Sequence, residues 1–403
     1  MLSSIPEVPP NWIKVRFDEI ATNVTDRVEK PNESDLEHYI GLEHLDTDQI
    51  RIKRFGSTED VKATKFLCKK GDIIFGKRNS YLRKVAVTDR DAVVSAHSMV
   101  IRPKGDLIVP DFLPCFMQSN VFWKTAHAIS EGSMSPTIKW KTLAKQEFWI
   151  PSIEQQKKIA EVLWAIETNI DKNERLFKSF DKIKIGLIDQ LLTKGIGHKK
   201  FKKTEFGEIP INWNIYKLIE VADIIMGQSP PSSSYNDSEG TPFLQGRADF
   251  GKIYPNITKY TTKPSKIANK NDLLFTVRAP VGAMNWCNIK CCIGRGIAAL
   301  RPKDMILQKF LYYQLEKVRY HIEQVSQGSI FKAINSKELK NFPIALAPLP
   351  EQQNVVDVLS NLDQNLIQLN NYSIKLMVIK KKLTNEFLSG KLRIPEGVLE
   401  NVQ

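Results

Sequence analysis

The chain has 403 residues, 42% hydrophobic and 26% charged, which excludes a disordered polymer, a collagen-like repeat and a disulfide scaffold and leaves room for two domains with real cores. Lys and Arg outnumber Asp and Glu by 58 to 45, for a net charge of +13 and a pI near 9.3, so a polyanionic partner is favoured, nucleic acid above all. No apolar run of about 18 residues is present, and the opening MLSSIPEVPP lacks a basic start and an apolar core. With five unevenly spaced cysteines (Cys68, Cys115, Cys287, Cys291 and Cys292), this reads as a cytoplasmic protein with reduced thiols, no membrane span and no metal site.

In chain order, residues 1–150 mix short apolar runs with turn signals. KFLCKKGDIIFGKR predicts strands entered through the Gly71-Asp72 turn, and DFLPCFMQSNVFWKTAHAI predicts an amphipathic helix. A long helix is expected over 151–194, opening after Pro151 and ending at Gly195. The basic stretch GIGHKKFKKTEFGE contains the linker, 195–205, expected as a solvated tether whose Lys199, Lys200, Lys202 or Lys203 is available to a phosphate. Residues 206–347 repeat the mixed pattern, with KNDLLFTVRAPVG as strand and QKFLYYQLEKVRYHIEQV as helix. A second long helix is expected over 348–392, opening at Pro348/Pro350 and ending at Gly390, with a tail over 393–403.

The two halves are one unit written twice. Trp12 of IPEVPPNW matches Trp213 of GEIPINW, and GDIIFGKR (71–78) matches NDLLFTVR (271–278). IRPK (101–104) matches LRPK (300–303), SEGSM (130–134) matches SQGSI (326–330), and EQQKKIAEVL (154–163) matches EQQNVVDVL (351–359). The interval drifts only from 201 to 196, and order is preserved. Each long helix carries a 3-4 apolar seam. The first runs Leu163, Ile166, Ile170, Asn173, Phe177, Phe180, Lys184, Leu187, Leu191. The second runs Leu359, Leu362, Leu366, Leu369, Ser373, Leu376, Lys380, Leu383, Phe387. Antiparallel pairing about a pseudo-two-fold axis places Phe177 against Ser373, a ring over a small side chain. Asn173, Lys184 and Lys380 are the polar positions that fix register.

No phosphate-binding loop, zinc-ligand spacing or nucleophile elbow occurs, and Ser229-Pro230-Pro231-Ser232 lacks the amide and aromatic that hold a flipped base. The residues therefore argue for a binding protein. Two other classes remain open on the residues alone: a self-contained basic nuclease, or a coiled-coil assembly module without DNA readout.

Two globular units alternating with two helices that open on Glu-Gln-Gln, each unit with an Asp-aliphatic-aliphatic-Phe strand ending in Arg, resemble the specificity subunit of type I restriction–modification systems. The resemblance implies an α+β chain: two pseudo-repeated target recognition domains separated by two long helices forming an antiparallel coiled coil. It implies no catalysis by this chain. Two modification (methyltransferase) subunits would dock on it and carry S-adenosylmethionine, and restriction subunits would bring ATP and Mg. A first helix of ~60 Å, at ~1.5 Å per residue, exceeds one duplex turn and suits a bipartite target in double-stranded DNA.

Base reading needs Arg, Lys, Asn, Gln or hydroxyls on loops. The candidates in the first domain are Glu43, His44, Lys77, Arg78, Asn79, Ser80, Tyr81, Arg83, His97, Ser133 and Ser135. Lys77 and Arg83 suit phosphates, whereas Arg78 and Asn79 suit base edges. Those in the second are Gln228, Ser229, Gln245, Arg247, Arg278, Arg295, Ser329 and Lys332.

Overall fold

The computed structural model describes residues 9–205, 207–325 and 333–395. Ser329 and Lys332, with the SQGSI segment, lie outside the described residues. The chain divides into two compact units, Met1–Arg175 with Asn370–Gln403, and Leu176–Leu369. The division falls inside both long helices, Ile153–Leu191 and Leu349–Leu388. Each unit therefore owns one globular domain and one half of each helix, rather than a domain followed by a helix.

The globular parts share a plan. In the first unit a four-stranded antiparallel sheet has the order Ala21–Val24, Ser98–Pro103, Ile73–Gly76, Val85–Val87. In the second it is Ala222–Met226, Ile297–Pro302, Leu273–Thr276, Met284–Trp286. A five-stranded mixed sheet packs beside each. The two five-stranded sheets share four strands and differ in the fifth, Arg27–Val28 in the first unit and Tyr235–Asn236 in the second, added at opposite edges. A two-stranded ribbon closes each domain, Ile13–Arg16 with Glu147–Ile150 and Asn214–Lys217 with Pro343–Leu346. The strand Ile73–Gly76 is buried along its length, as is Leu273–Thr276, which explains why both read as continuous apolar runs. The thiols of all five cysteines are free and buried.

The repeated motifs are joints. Asp72 is 3% exposed and takes both arms of Arg102 at 2.7 and 2.8 Å, while its Oδ2 accepts the Lys69 N–H at 2.8 Å. Asp272 does the same with Arg301, at 2.9 Å twice, and with the Asn269 N–H at 2.8 Å. The Asp of one motif and the Arg of the next thus close a bidentate bridge across neighbouring strands. The buried Gln156 accepts from the Val109 N–H at 2.8 Å and donates to the carbonyls of Leu107 and Pro151. Gln352 repeats this with Leu307, Met305 and Ala347. Gln156 is the second glutamine of its Glu-Gln-Gln and Gln352 the first. The true register is therefore 196, and Glu154 is not the counterpart of Glu351.

Glu351 has its own task, which corrects the expected tether. It accepts from the Ile196 N–H at 3.0 Å and the Trp213 indole at 2.9 Å, and its Oε1 lies 2.7 Å from His198 Nε2. Beyond this anchor Phe201–Thr204 pairs with Gly207–Pro210 as a hairpin. Three donors on one carboxylate and a strand ladder hold residues 195–205 in the second unit, so they are no solvated linker. A second correction concerns the helix over 111–129. Ser119 caps the Phe122 N–H and splits it into Phe112–Met117 and Asn120–Ala128, whereas Gln308–Val325 is continuous.

The long helices pair antiparallel. In the first unit Lys380 meets Glu167 at 2.7 Å and Asn173 Nδ2 donates to Ser373 Oγ at 2.6 Å. In the second unit Lys184 meets Asp363 at 2.8 Å and Glu316 at 3.2 Å. Lys184 and Lys380 are equivalent positions, as are Asp363 and Glu167, so a buried lysine meets the same carboxylate position in both copies, with Glu167 buried and Asp363 half-buried. Of the seam, Leu163, Ile170, Leu359 and Leu366 are buried, and Ile166, Phe177, Phe180, Leu187, Leu362, Leu376 and Leu383 are half-buried. Ser373 takes Asn173 as its hydrogen-bond partner within the first unit, because a hydroxyl at a seam position requires a polar neighbour. Removing one member of such a pair strands a buried charge, which costs about 3–5 kcal/mol, whereas replacing both with apolar groups is near neutral. Lys380→Met is therefore expected to lower the urea midpoint of the full chain strongly, and Lys380→Met with Glu167→Leu to recover most of the loss, followed by tryptophan fluorescence.

Candidate nucleic-acid interface

The strand pattern brings four chain segments of the first unit to one end of its sheets. They follow His38–Ile40 (the turn Leu42–His44), Ile73–Gly76 (77–83) and Ala92–Val94 (95–97), and precede Ile138 (131–137). Backbone bonds knit them: Lys77 N–H to His97 carbonyl at 3.1 Å, Ile138 N–H to Lys77 carbonyl at 2.9 Å, and Ser95 N–H to Ile40 carbonyl at 2.9 Å. Lys84 Nζ donates to the Leu42 carbonyl at 2.6 Å and ties in the first turn. The second unit repeats the stitching with Val277 to Gly296 at 3.0 Å, Ile334 to Val277 at 2.9 Å, and Gly294 to Leu244 at 2.8 Å. Arg78 and Arg278 thus occupy equivalent places, and both are exposed.

Within the first cluster the side chains divide. Arg78 donates Nε to Ser135 Oγ at 2.9 Å, and Ser135 donates to Asn79 Oδ1 at 2.7 Å. His97 Nε2 lies 3.5 Å from Arg78 Nη1. Asn79 and Arg83 both have left-handed backbone, with φ of 56° and 51°. Tyr81, Ser133, Glu43 and His97 are exposed. Lys77 is half-buried with no carboxylate in ion-pair range among the described residues, and burial pushes its ammonium down, so an arriving phosphate would relieve it. Three candidates turn inward instead. Arg83 spends its arms on Asn120 Oδ1 and the Gln118 carbonyl, both at 2.8 Å. Ser80 is 2% exposed, and His44 Nδ1 accepts the Gly41 N–H at 2.9 Å as a turn cap.

In the second unit Gln228, Gln245, Arg247 and Arg295 are exposed, and Ser229 is half-buried. Their loops meet through glycine. Gly227 N–H bonds the Ile297 carbonyl and Gln228 N–H the Ile293 carbonyl, both at 2.9 Å. A Cβ at Gly227 would lie against the Gly294 carbonyl oxygen and 2.6 and 2.8 Å from those of Ile297 and Ile293. Asp249 accepts from the N–H groups of Gln245 at 2.6 Å and Gly246 at 3.0 Å and sets the turn that presents Arg247. Residue types did not single out Gly227 or Asp249. A Gly directly before Gln228, and an Asp four residues after Gln245, were the available signals. The arrangement offers guanidinium and amide groups on rigid turns, with no paired acid–base or nucleophile–base constellation among those turns.

A duplicated frame presenting unlike polar loops at one end of each copy defines a two-headed recognition protein. The family model described as the type I restriction modification DNA specificity domain matches residues 10–178 and again 210–380. A putative type I restriction enzyme MjaX specificity subunit from Methanocaldococcus jannaschii is 35% identical, over 97% of this chain and 96% of its own length. The MjaVIII specificity subunit of the same organism is 23% identical over 96% of this chain and 94% of its own. A chain from a solved type I restriction–modification assembly is 28% identical with a TM-score of 0.64, covering 96% of this chain and all of its own. The HsdS subunit of Thermoanaerobacter tengcongensis is 27% identical with a TM-score of 0.50, over 97% of this chain and all of its own. The chain belongs to the type I restriction–modification DNA specificity family. It is a specificity subunit whose two recognition domains read DNA sequence, neither a self-contained nuclease nor an assembly module without readout.

If the glycine contact sets the loop, Gly227→Ala must displace Gln228. The expected result is a loss of DNA affinity of about tenfold with a stability cost of ~1–3 kcal/mol. Gly246→Ala, where an added Cβ meets nothing within 4 Å and φ is −177°, is expected to leave both unchanged. Fluorescence anisotropy and thermal unfolding check the pair.

Proposed function

We propose that each unit reads one half of a bipartite, non-palindromic duplex through its clustered loops. Arg78 and His97 serve in the first, with Asn79 beside them, and Arg278, Arg295, Arg247, Gln245 and Gln228 in the second. The observation that carries this is the equivalence of Arg78 and Arg278: the same exposed guanidinium on the same stitched loop, surrounded by residues that differ between copies. Shared frame and unlike surroundings predict unlike half-sites. Lys77 meets a phosphate. Glu43, Tyr81, Ser133 and Ser229 line the approach.

The chain itself is non-catalytic in this reading. S-adenosylmethionine, ATP and Mg belong to partner subunits, and the complex works in the cytoplasm. Among the described residues no helix is long and apolar enough to cross a membrane. Two modification subunits dock on the long helices, and restriction subunits join them. Exposed apolar residues support two like sites: Leu176 and Ile183 on the first helix, at 49 and 51% exposure, and Tyr372 and Ile379 on the second, at 50 and 47%. These are the same positions in each copy, seven residues apart.

Co-expression with the cognate methyltransferase, followed by mapping of methylated bases, tests the reading. Two short unlike half-sites separated by a fixed gap are expected, and a continuous palindrome would overturn it. Exchanging residues 1–150 for those of a relative should alter one half only. Arg78→Ala and Arg278→Ala should each relax one half-site, and affinity should fall steeply with salt.

A further inference from the structure

The first unit does more with Arg78 than expose it. A guanidinium has five N–H donors in a fixed plane. Nε is committed to Ser135 Oγ at 2.9 Å. Ser135 in turn gives its hydroxyl hydrogen to Asn79 Oδ1 at 2.7 Å, so its oxygen lone pairs are left to face Arg78. His97 Nε2 sits at 3.5 Å from Nη1. With these partners the Arg78 fork keeps Nη2 whole and one hydrogen of Nη1. Those form its outer edge, and the residue is exposed.

The anchors are themselves fixed. Asn79 stands in left-handed backbone, a region its side chain tolerates. The Arg78 backbone bridges Thr137, which places Ser135 beside the guanidinium. Ser135 and Asn79 were candidates for contact with DNA, but the hydrogen of one and the carbonyl of the other are already engaged. An exposed arginine ordinarily spreads over many rotamers, and immobilising it on binding costs affinity. Here the ordering precedes binding.

We propose that Arg78 is a pre-aimed reader of guanine in the first half-site, offering its outer edge to O6 and N7, with Ser135 and Asn79 as positioning residues. Two parallel donors match the two acceptors that guanine alone presents in the major groove. A phosphate could take the same edge, and the test separates the two. The proposal rests on the reading that the first unit contacts DNA, and deepens it by naming the base.

The full chain is assembled with its methyltransferase subunits. The methylated motif is then mapped for wild type, Arg78→Ala, Ser135→Ala and Ser135→Thr, and affinity is measured against salt. A guanine in the first half is expected. Discrimination at that position should fall about 10- to 100-fold in Arg78→Ala, with the second half-site intact as an internal control for folding. Ser135→Ala should relax the same position by a smaller factor without changing the salt slope, and Ser135→Thr, which keeps the hydroxyl, should restore it. Uniform weakening of every sequence by Arg78→Ala, with a shallower salt slope, would identify a phosphate contact and overturn the guanine assignment. A shift at a different base in Ser135→Ala, or none, would overturn the positioning role. If Arg78→Ala and His97→Ala both leave affinity and the first half-site untouched, the reading that this unit contacts DNA fails as well.

Discussion

A lysine ammonium taken out of water between two helices has to find a carboxylate, and only one alignment of the helices supplies it. Lys380 opposite Glu167 in the first unit, and Lys184 opposite Asp363 in the second, are that alignment made twice. Sliding either helix by a turn would part each buried lysine from its carboxylate. Such pairs add little net stability over an apolar seam, but they make every other register expensive. Asn173 with Ser373 adds a third, uncharged pin in the first unit. The second-unit pair also recruits Glu316 from the neighbouring helix Gln308–Val325 and the Tyr313 hydroxyl, which donates to Asp363 at 2.6 Å. There the globular domain is locked to the helices through the same ion pair that sets their register.

The duplication separates two kinds of residue. Asp72 with Arg102, Gln156 with its three backbone partners, and their copies Asp272, Arg301 and Gln352 build the frame. The two carboxylates and two glutamines are buried, the two arginines are half-buried, and all spend polar atoms on the chain itself. The loops at the far ends of the same strands carry residues that do not repeat: His97 against Gly296, Ser95 against Gly294. A protein that keeps one scaffold while reading different sequences has to divide its residues in this way, because a frame that also read bases would change shape whenever its target changed.

That division explains what the amino-acid sequence disclosed. The frame was legible because it occurs twice: matching Asp-aliphatic-aliphatic-Phe strands, Arg-Pro-Lys segments and helix seams located the architecture. The one-residue slip between the Glu-Gln-Gln segments was not legible, since identity of letters favoured Glu154 over the buried Gln156. The helix break at Gln118-Ser119 was hidden for a similar reason, because the apolar pattern continues across it and only the serine cap betrays it. The reading loops were least legible. Arg78 and Arg83 look alike in sequence, yet one faces outward and the other braces Asn120 and the Gln118 carbonyl. Long-range acceptors decide this, and no local spacing encodes them. The basic stretch after the first helix was misread because its anchor, Glu351, lies some 150 residues away.

Asn79 and Arg83 bracket a three-residue 3-10 turn with left-handed backbone at both ends, where β-branched side chains are strained. Heritable drift in the first reader is therefore uneven. Codons 79 and 83 tolerate few replacements without unwinding the turn, whereas residues 97, 133 and 134 lie outside that bracket. New sequence preferences should be acquired there first, with Arg78 and its adjoining turn unchanged.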